Sequence, residues 1–382
     1  MLRAYKTEIK PTGEQKRQLN KTFGVCRYLY NLFLATNKER YANGNRFMSA
    51  NDFDKWVNNV HSVECPWIKE VSSKGRKKAI VSAETAYKRF FKKQAQFPTF
   101  KKKRVQNTSF YAPKNNAGDW TIERHRIKIP TIGWVRLKEF AYLPIGVKVT
   151  GGTVTQRADR YFVSVTVERE ESMPERATGE GIGIDLGIKD FAICSDGRIF
   201  KNINKSSAIR RAEKRLKRTQ RALSRKYEHR KKVKSATECG SNIAKNVLRV
   251  QKSQMRLANM RSAYRTHVVN MLVKTKPAYI AIERLNIKGM VRNRHLSKSI
   301  SSQGFYDFKL TLANTCRKLG IELREVSPFY PSSKICSCCG NKKVNLSLSE
   351  RVYVCESCGN EMDRDLNAAV NLMQAHEYMV LT

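Results

Sequence analysis

Three acidic residues stand where a carboxylate is costly unless it binds something. Asp185 closes the apolar run Ile182-Gly-Ile, Glu283 closes Tyr279-Ile-Ala-Ile, and Asp365 lies in Asp363-Arg-Asp-Leu-Asn-Ala-Ala369 at the start of a predicted helix. Each has a plainer role when taken alone. Asp185 could cap the turn before Gly187, Glu283 could pair with Arg284, and Asp365 could sit in a first turn favoured by the helix dipole. Asp363 reads as the N-cap and nothing more. Taken together, two strand tips and a helix start can hold two Mg²⁺ ions about 3.5–4 Å apart. Such a pair positions water and leaving oxygen for in-line phosphodiester hydrolysis. The three residues are far apart in the chain, so only folding can join them.

A second constellation follows. Cys336-Ser-Cys-Cys339 and Cys355-Glu-Ser-Cys358 form two C-x-x-C pairs with 15 residues between them, and Gly340 and Gly359 follow the pairs. Four thiolates close a tetrahedral Zn²⁺ shell with no open position, which serves structure and not catalysis. Cys338 is surplus, although a strained C-x-C arrangement could use it instead of Cys339. A zinc ribbon alone is common among RNA-binding proteins and does not make a nuclease. Here it would brace Asp365, seven residues beyond Cys358. The scattered Cys26, Cys65, Cys194, Cys239 and Cys316 read as small core residues.

Composition narrows the partners. The 382 residues include 74 Lys and Arg against 33 Asp and Glu, a net charge of +41. With 41% hydrophobic residues the chain can build the cores of two or three domains, so it is not a disordered basic tail. A fold so charged repels itself unless a polyanion neutralises it. Nucleic acid fits, because Lys and Arg contacts to phosphate gain free energy through counterion release. No run of about 18 apolar residues could span a bilayer. Met1 to Lys10 lacks the apolar segment of a signal peptide. The expected location is the cytoplasm, with no membrane partner, and cysteine usage there favours metal over disulfides.

These groups need a frame. The first ten residues, alternating around Leu2, Ala4, Tyr5 and Ile9, read as a strand ended by Pro11. Helical spacing runs from Gly13 to about Leu34, from Ala50 to Val60 and from Lys74 to Phe91. Short β-branched and aromatic stretches follow: Arg126–Ile129, Trp134–Leu137, Lys148–Thr150, Thr153–Thr155 and Tyr161–Glu168. Residues 1–12 and 96–175 therefore read as a small β-barrel, interrupted by a helical bundle over 13–95. Then come strands at Ile182–Ile188, Asp190–Cys194 and Arg198–Phe200, with Asp196-Gly197 as a hairpin turn. A long polar helical region spans Ile209 to about Lys274. After it come a strand at Ala278–Glu283, a helix from Phe305 to Leu319, a strand at Ile321–Val326 and a closing helix. That is the element order of an RNase H-like domain over 179–330 and 360–382, with basic helical arms at 204–275 and a zinc ribbon at 331–359. The fold class is multidomain α/β.

The chain resembles the TnpB family of transposon-associated nucleases, relatives of type V CRISPR effectors. The matching segments are Gly183-Ile-Asp185-Leu-Gly-Ile-Lys-Asp-Phe-Ala192, Ile282-Glu-Arg-Leu-Asn-Ile-Lys-Gly-Met290, Pro331-Ser-Ser-Lys334, Asp363-Arg-Asp-Leu-Asn-Ala-Ala369 and Phe97-Pro-Thr-Phe-Lys-Lys-Lys-Arg104. Ser301-Ser-Gln-Gly304 departs from the family's usual Ser-Asp-Ala-Gly. The resemblance implies a RuvC-like nuclease domain with Asp185, Glu283 and Asp365 as catalytic metal ligands, beside a wedge-like barrel. It also implies a guide RNA made from the transposon end, and cutting of double-stranded DNA beside a short fixed motif. Oligomeric state stays open, with a monomer preferred.

Arg210 to Lys234 holds thirteen Lys and Arg against two Glu, so i,i+4 partners are nearly absent. A solvated helix is the plain reading. Backbone contact with a guide scaffold or an RNA–DNA heteroduplex is the functional one, with Arg210, Arg211, Lys214 and Arg218 as candidates. Lys74, Lys77 and Tyr111 are the candidates for reading the flanking motif. Two other functions compete. A guide-dependent DNA-binding repressor predicts a broken triad, whereas this one is intact. A guide-free zinc-ribbon RNA-binding protein has no need of strand-tip carboxylates.

Overall fold

The computed structural model describes residues 1–103, 108–170, 174–232, 241–347 and 349–381. Arg104 of the Phe97 motif, Val233 and Lys234 at the end of the basic run, and Cys239 lie outside the described residues. Two compact units divide the chain, Met1–Glu171 and Ser172–Thr382.

In the first unit β1 (Leu2–Lys10) leads into α1 (Gly13–Ala42). Thr12 and Gln15 start that helix with a reciprocal capping box: the Gln15 amide donates to Thr12 Oγ1 at 3.3 Å, and the Thr12 amide donates to Gln15 Oε1 at 3.0 Å. Next come α2 (Ala50–Trp56), a π turn at Val57–His61, α3 (Ser62–Glu64), a 3-10 turn at Pro66–Glu70 and α4 (Ser73–Phe91). Leu29, Phe33, Phe53, Ile68, Ile80 and Tyr87 close the core of these helices. The strands β2 (Thr108–Pro113), β3 (Arg126–Ile129), β4 (Gly133–Leu137), β5 (Lys148–Arg157) and β6 (Arg160–Glu168) join β1 in an antiparallel sheet of order β2-β5-β6-β1-β4-β3. β1 lies between β6 and β4, pairing Tyr5 with Val165 and Ile9 with Leu137. The opening residues are thus tied into a sheet whose other strands all follow the helices. The described ladder has two ends, β2 and β3.

The second unit is built on a mixed sheet of order β14-β11-β10-β7-β8-β9. Its strands are β7 (Ile182–Leu186), β8 (Asp190–Cys194), β9 (Ile199–Lys201), β10 (Tyr279–Glu283), β11 (Glu322–Val326) and β14 (Tyr378–Val380). β7, β10 and β11 run parallel, whereas β8, β9 and β14 are antiparallel to their neighbours. Between β9 and β10 stand α5 (Ser207–Lys232) and α6 (Ser241–Val273). After β10 come α7 (Ile287–Arg292), α8 (Ser297–Gln303) and α9 (Phe305–Leu319), with Gly304 and Gly320 in left-handed backbone at the last helix's two ends. The small hairpin β12 (Val352–Val354) and β13 (Glu361–Asp363) leads directly into α10 (Arg364–Gln374).

The strand period of two sorts the central strands into faces. Ile182, Ile184, Ile280 and Ile282 pack with Val268, Val269 and Leu272 of α6 and with Phe305, Phe308 and Leu312 of α9. The alternate residues Gly183, Asp185, Ala281 and Glu283 face the other way, and Ala281 packs with Leu372 of α10. The carboxylates therefore lie on the face that α10 covers.

Candidate active site and metal centre

β7 and β10 pair in parallel with Ile184 opposite Ile282. Asp185 and Glu283 each stand one residue further on, so the two tips emerge side by side. α10 brings the third group. Gly183 is packed so closely under it that a Cβ there would lie 1.9 Å from the Ala369 carbonyl oxygen and 2.6 Å from the Met373 nitrogen. Asp365 is one helical turn before Ala369, and Asp185 is two residues along the strand from Gly183. Helix rise and strand rise nearly match over that span, which puts Asp365 over Asp185. The cap holds this turn in place: Asp363 Oδ1 accepts from the Asp365 amide at 2.9 Å and from the Leu366 amide at 3.1 Å.

Electrostatics report the same convergence. Asp185 keeps part of its surface open, yet the atoms packed around it make desolvation the main influence on its carboxyl. Desolvation, then repulsion from Asp365 and Glu283, raise its pKa to about 7. Burial also pushes the Glu283 carboxyl upward. Counter-charge falls on Asp365: the Arg364 guanidinium lies 3.2 Å from Oδ1, and Arg351 lies 3.8 Å from Oδ2. Neither arginine was a candidate from sequence. Arg364 sits inside the Asp363 motif and was legible in principle, whereas Arg351 reaches the site only through the β12–β13 hairpin. A cluster of mutually repelling carboxylates that holds one of its members partly protonated near neutrality fits a cation site. Bound positive charge would relieve both the repulsion and the desolvation.

The cysteine cluster has the geometry of a closed metal shell. The Sγ atoms of Cys336, Cys339, Cys355 and Cys358 all lie within 4.8 Å of one another. Cys336 and Cys358 are 3.7 Å apart, and Cys339 and Cys355 are 3.5 Å apart. A tetrahedral ion bonded to sulfur at about 2.3 Å requires sulfurs roughly 3.8 Å apart, so the four fit. The exposed Cys338 is not among them. The two halves repeat one turn. Cys336 N donates to Asn341 O at 2.8 Å and Gly340 N to Cys336 O at 2.9 Å; Cys355 N donates to Asn360 O at 2.9 Å and Gly359 N to Cys355 O at 3.0 Å. Gly340 and Gly359 take the left-handed backbone that these turns require, at φ 75° and 71°. Amides of Cys358 and Ser357 aimed at Cys355 Sγ bring that thiol down to about 6, against a smaller opposing effect of desolvation.

This module is fastened to the helix that carries Asp365. The buried Asn367 Nδ2 donates to Ile335 O at 2.7 Å, while its Oδ1 accepts from the Ser337 amide at 3.0 Å. One turn later Asn371 Nδ2 donates to Ser332 O at 2.7 Å and to Ile335 O at 2.6 Å. The first knuckle therefore rides on α10 through two asparagines whose partners sequence did not reveal.

The basic candidates fall in two places, one in each unit. Arg210, Arg211, Lys214 and Arg218 are exposed on α5. Arg211 and Arg215 face Arg249, Lys252 and Arg256 of α6 across a cleft of about 470 Å³. In the first unit Lys77 is exposed, but Lys74 is ion-paired with Asp119. Tyr111 lines a cavity of about 190 Å³ with Arg27, Lys78, Lys101 and Lys102. Lys78 lies 5.9 Å from the Tyr111 ring centre. These four cations were not candidates from sequence, because they come from α1, from α4 and from the segment after α4, and only folding brings all three to Tyr111 on β2.

A family described as "Probable transposase" matches residues 163–294, and "Cas12f1-like, TNB domain" matches residues 305–372. "Helix-turn-helix domain" matches residues 1–46, where the structure has strand β1 and the single 30-residue helix α1. The chain is 30% identical to the "Putative RNA-guided DNA endonuclease InsQ" of Escherichia coli K12, over 98% of this chain and 92% of that protein. It is 29% identical to a "Putative RNA-guided DNA endonuclease" of Streptomyces pristinaespiralis, over 98% and 89%. The fold is similar to the protein in a Cas12f1–sgRNA–target DNA complex, with a TM-score of 0.59, 12% identity and 99% of each chain covered.

Proposed function

This chain belongs to the TnpB family of IS605-type insertion sequences, and we propose that it is an RNA-guided DNA endonuclease that cuts at Asp185, Glu283 and Asp365. The observation that carries the reading is the convergence of three carboxylates from β7, β10 and α10 on one face of the sheet, with the Asp185 carboxyl raised to about 7 by its burial and then by its acidic neighbours. An intact triad disfavours a repressor that only binds.

Asp185, Glu283 and Asp365 would hold Mg²⁺, the two strand tips side by side and Asp365 above them. Bound there, Mg²⁺ supplies a polarised water and charge stabilisation for the leaving oxygen. Arg364 and Arg351 fix the Asp365 carboxylate. Cys336, Cys339, Cys355 and Cys358 would hold one structural Zn²⁺, which stiffens the turns fastened to Asn367 and Asn371 and so the helix bearing Asp365.

Guide and target fit the charge. A guide RNA made from the transposon end chooses the site by base pairing, since phosphate contacts carry no sequence information. Arg210, Arg211, Lys214 and Arg218 contact its backbone or the heteroduplex. Lys77, Tyr111 and the lysines beside it read the motif next to double-stranded target DNA, with the N-terminal sheet serving as the wedge. The protein acts as a monomer in the cytoplasm; no helix among the described residues is long and apolar enough to cross a membrane.

The test is single substitution of each carboxylate. Asp185→Ala, Glu283→Ala and Asp365→Ala should each lower Mg²⁺-dependent cutting about a thousandfold, while RNA and target binding persist. Full cutting by any one of them removes that residue from the site.

A further inference from the structure

Beyond Glu283 the sheet edge opens into a groove. Glu283 is registered with Val326, and Arg284 N donates to Val326 O at 3.0 Å. The groove starts at the next residue on each strand, Arg284 and Ser327, and encloses about 610 Å³. Phe329 and Tyr306 form its aromatic lining, and Arg284 and Lys288 supply charge; among the described residues no acidic side chain lines it. Phe329 is 91% exposed, the highest value of any large hydrophobic side chain among the described residues, and Tyr306 is 61% exposed.

The backbone that carries the ring is anchored. Ser327 Oγ accepts from the Phe329 amide at 3.3 Å, and Pro328 fixes the backbone just before the ring. Tyr330, the next residue, is anchored by its hydroxyl to Asn371 O of α10 at 3.3 Å. An aromatic ring presented to solvent from an anchored backbone, beside two cations and directly along the edge from a catalytic carboxylate, is suited to a flat anionic partner.

We propose that Phe329 and Tyr306 form a stacking platform for an unpaired base of the DNA strand being cut, with Arg284 and Lys288 on its phosphates. The proposal rests on the endonuclease reading above. A duplex hides its base faces against one another, so only a strand already separated from its complement can use such a ring. Stacking works with any base, which suits an enzyme whose sequence choice is made elsewhere. The platform would fix the strand's direction as it enters the carboxylates.

Two readouts test it in the RNA-loaded protein. The first is cutting. Phe329→Ala should slow cutting by roughly 5- to 150-fold, the effect of losing one base–aromatic stack. Guide RNA binding should stay unchanged. Phe329→Trp should restore the rate, whereas Phe329→Leu, apolar but without a π face, should not. The second uses Ca²⁺ in place of Mg²⁺ to hold the strand uncut, with 2-aminopurine walked along its unpaired stretch. At one position the probe should be quenched by wild type and bright with Phe329→Ala. Equal cutting by Phe329→Ala and a probe indifferent to Phe329 at every position would overturn the platform and leave the endonuclease reading standing; a groove that receives a protein would give that same result. If wild type cuts nothing, the endonuclease reading fails, and the fluorescence still decides whether a base stacks on Phe329.

Discussion

Asp185 and Glu283 occupy equivalent positions on adjacent parallel strands, each one residue past the registered pair Ile184 and Ile282. Their carboxylates therefore leave the sheet on the same face and at the same edge. Burial, then the charges of Asp365 and Glu283, oppose ionisation of the Asp185 carboxyl.

This arrangement makes stability depend on pH and on cation. The Asp185 carboxyl titrates near 7 in the fold and near 4 when unfolded, so the folded state keeps a proton that the unfolded state loses between those values. Without divalent cation, stability should fall as pH rises from about 4 to about 7 and then level off. Asp185→Asn should remove that fall, giving a protein a few degrees more stable than wild type at pH 8 and similar to it at pH 4. Mg²⁺ should raise the melting temperature of RNA-free wild type at pH 8, much less at pH 5, and not in Asp185→Asn. Calorimetry across pH, with and without Mg²⁺, measures all three effects.

Much of this site was legible in the sequence because its strands are buried and regular. The runs Ile182-Gly-Ile and Tyr279-Ile-Ala-Ile mark central strands, and an acid at each tip stands out against them. The packing of Gly183 against Ala369 was not legible, since a glycine in a strand has several uses and only the covering helix selects one. The edge strand β14 also escaped: Tyr378, Met379 and Val380 are all exposed, so no alternation betrays them. β12 and β13 have three residues each, too short for a period. The π turn at Val57–His61 prolongs the α2 pattern, and spacing alone cannot separate it from α-helix. Arg351 becomes a partner of Asp365 only because Val352 pairs with Asp363.

Gly183 offers a test that leaves every ligand in place. A methyl group there would lie 1.9 Å from a backbone oxygen of α10, so the helix must move away from β7. Gly183→Ala should lower cutting about a hundredfold or more, because a displacement of about 1 Å is enough for that. RNA binding should persist. Wild-type cutting by Gly183→Ala, measured at saturating target, would show that close packing of α10 on β7 does not set the position of Asp365.

The metal shell predicts a pattern among cysteines. Cys339→Ser and Cys355→Ser should lose zinc, measured by inductively coupled plasma mass spectrometry, and should destabilise the second unit. Cys338→Ser should retain one zinc per chain, because its sulfur lies outside the cluster. Depleted zinc in Cys338→Ser with normal zinc in Cys339→Ser would reverse the ligand assignment.

The central claim is that RNA chooses the DNA that this fold cuts. The most direct measurement is to purify the protein with its RNA, sequence that RNA, and replace only the stretch that pairs with DNA. Targets carrying the old and the new complementary sequences, each beside the same flanking motif, are then assayed for cutting with Mg²⁺. Cleavage should move to the new target and leave the old one intact. Cutting that stays at the old sequence, or continues unchanged after the RNA is removed, would contradict the account.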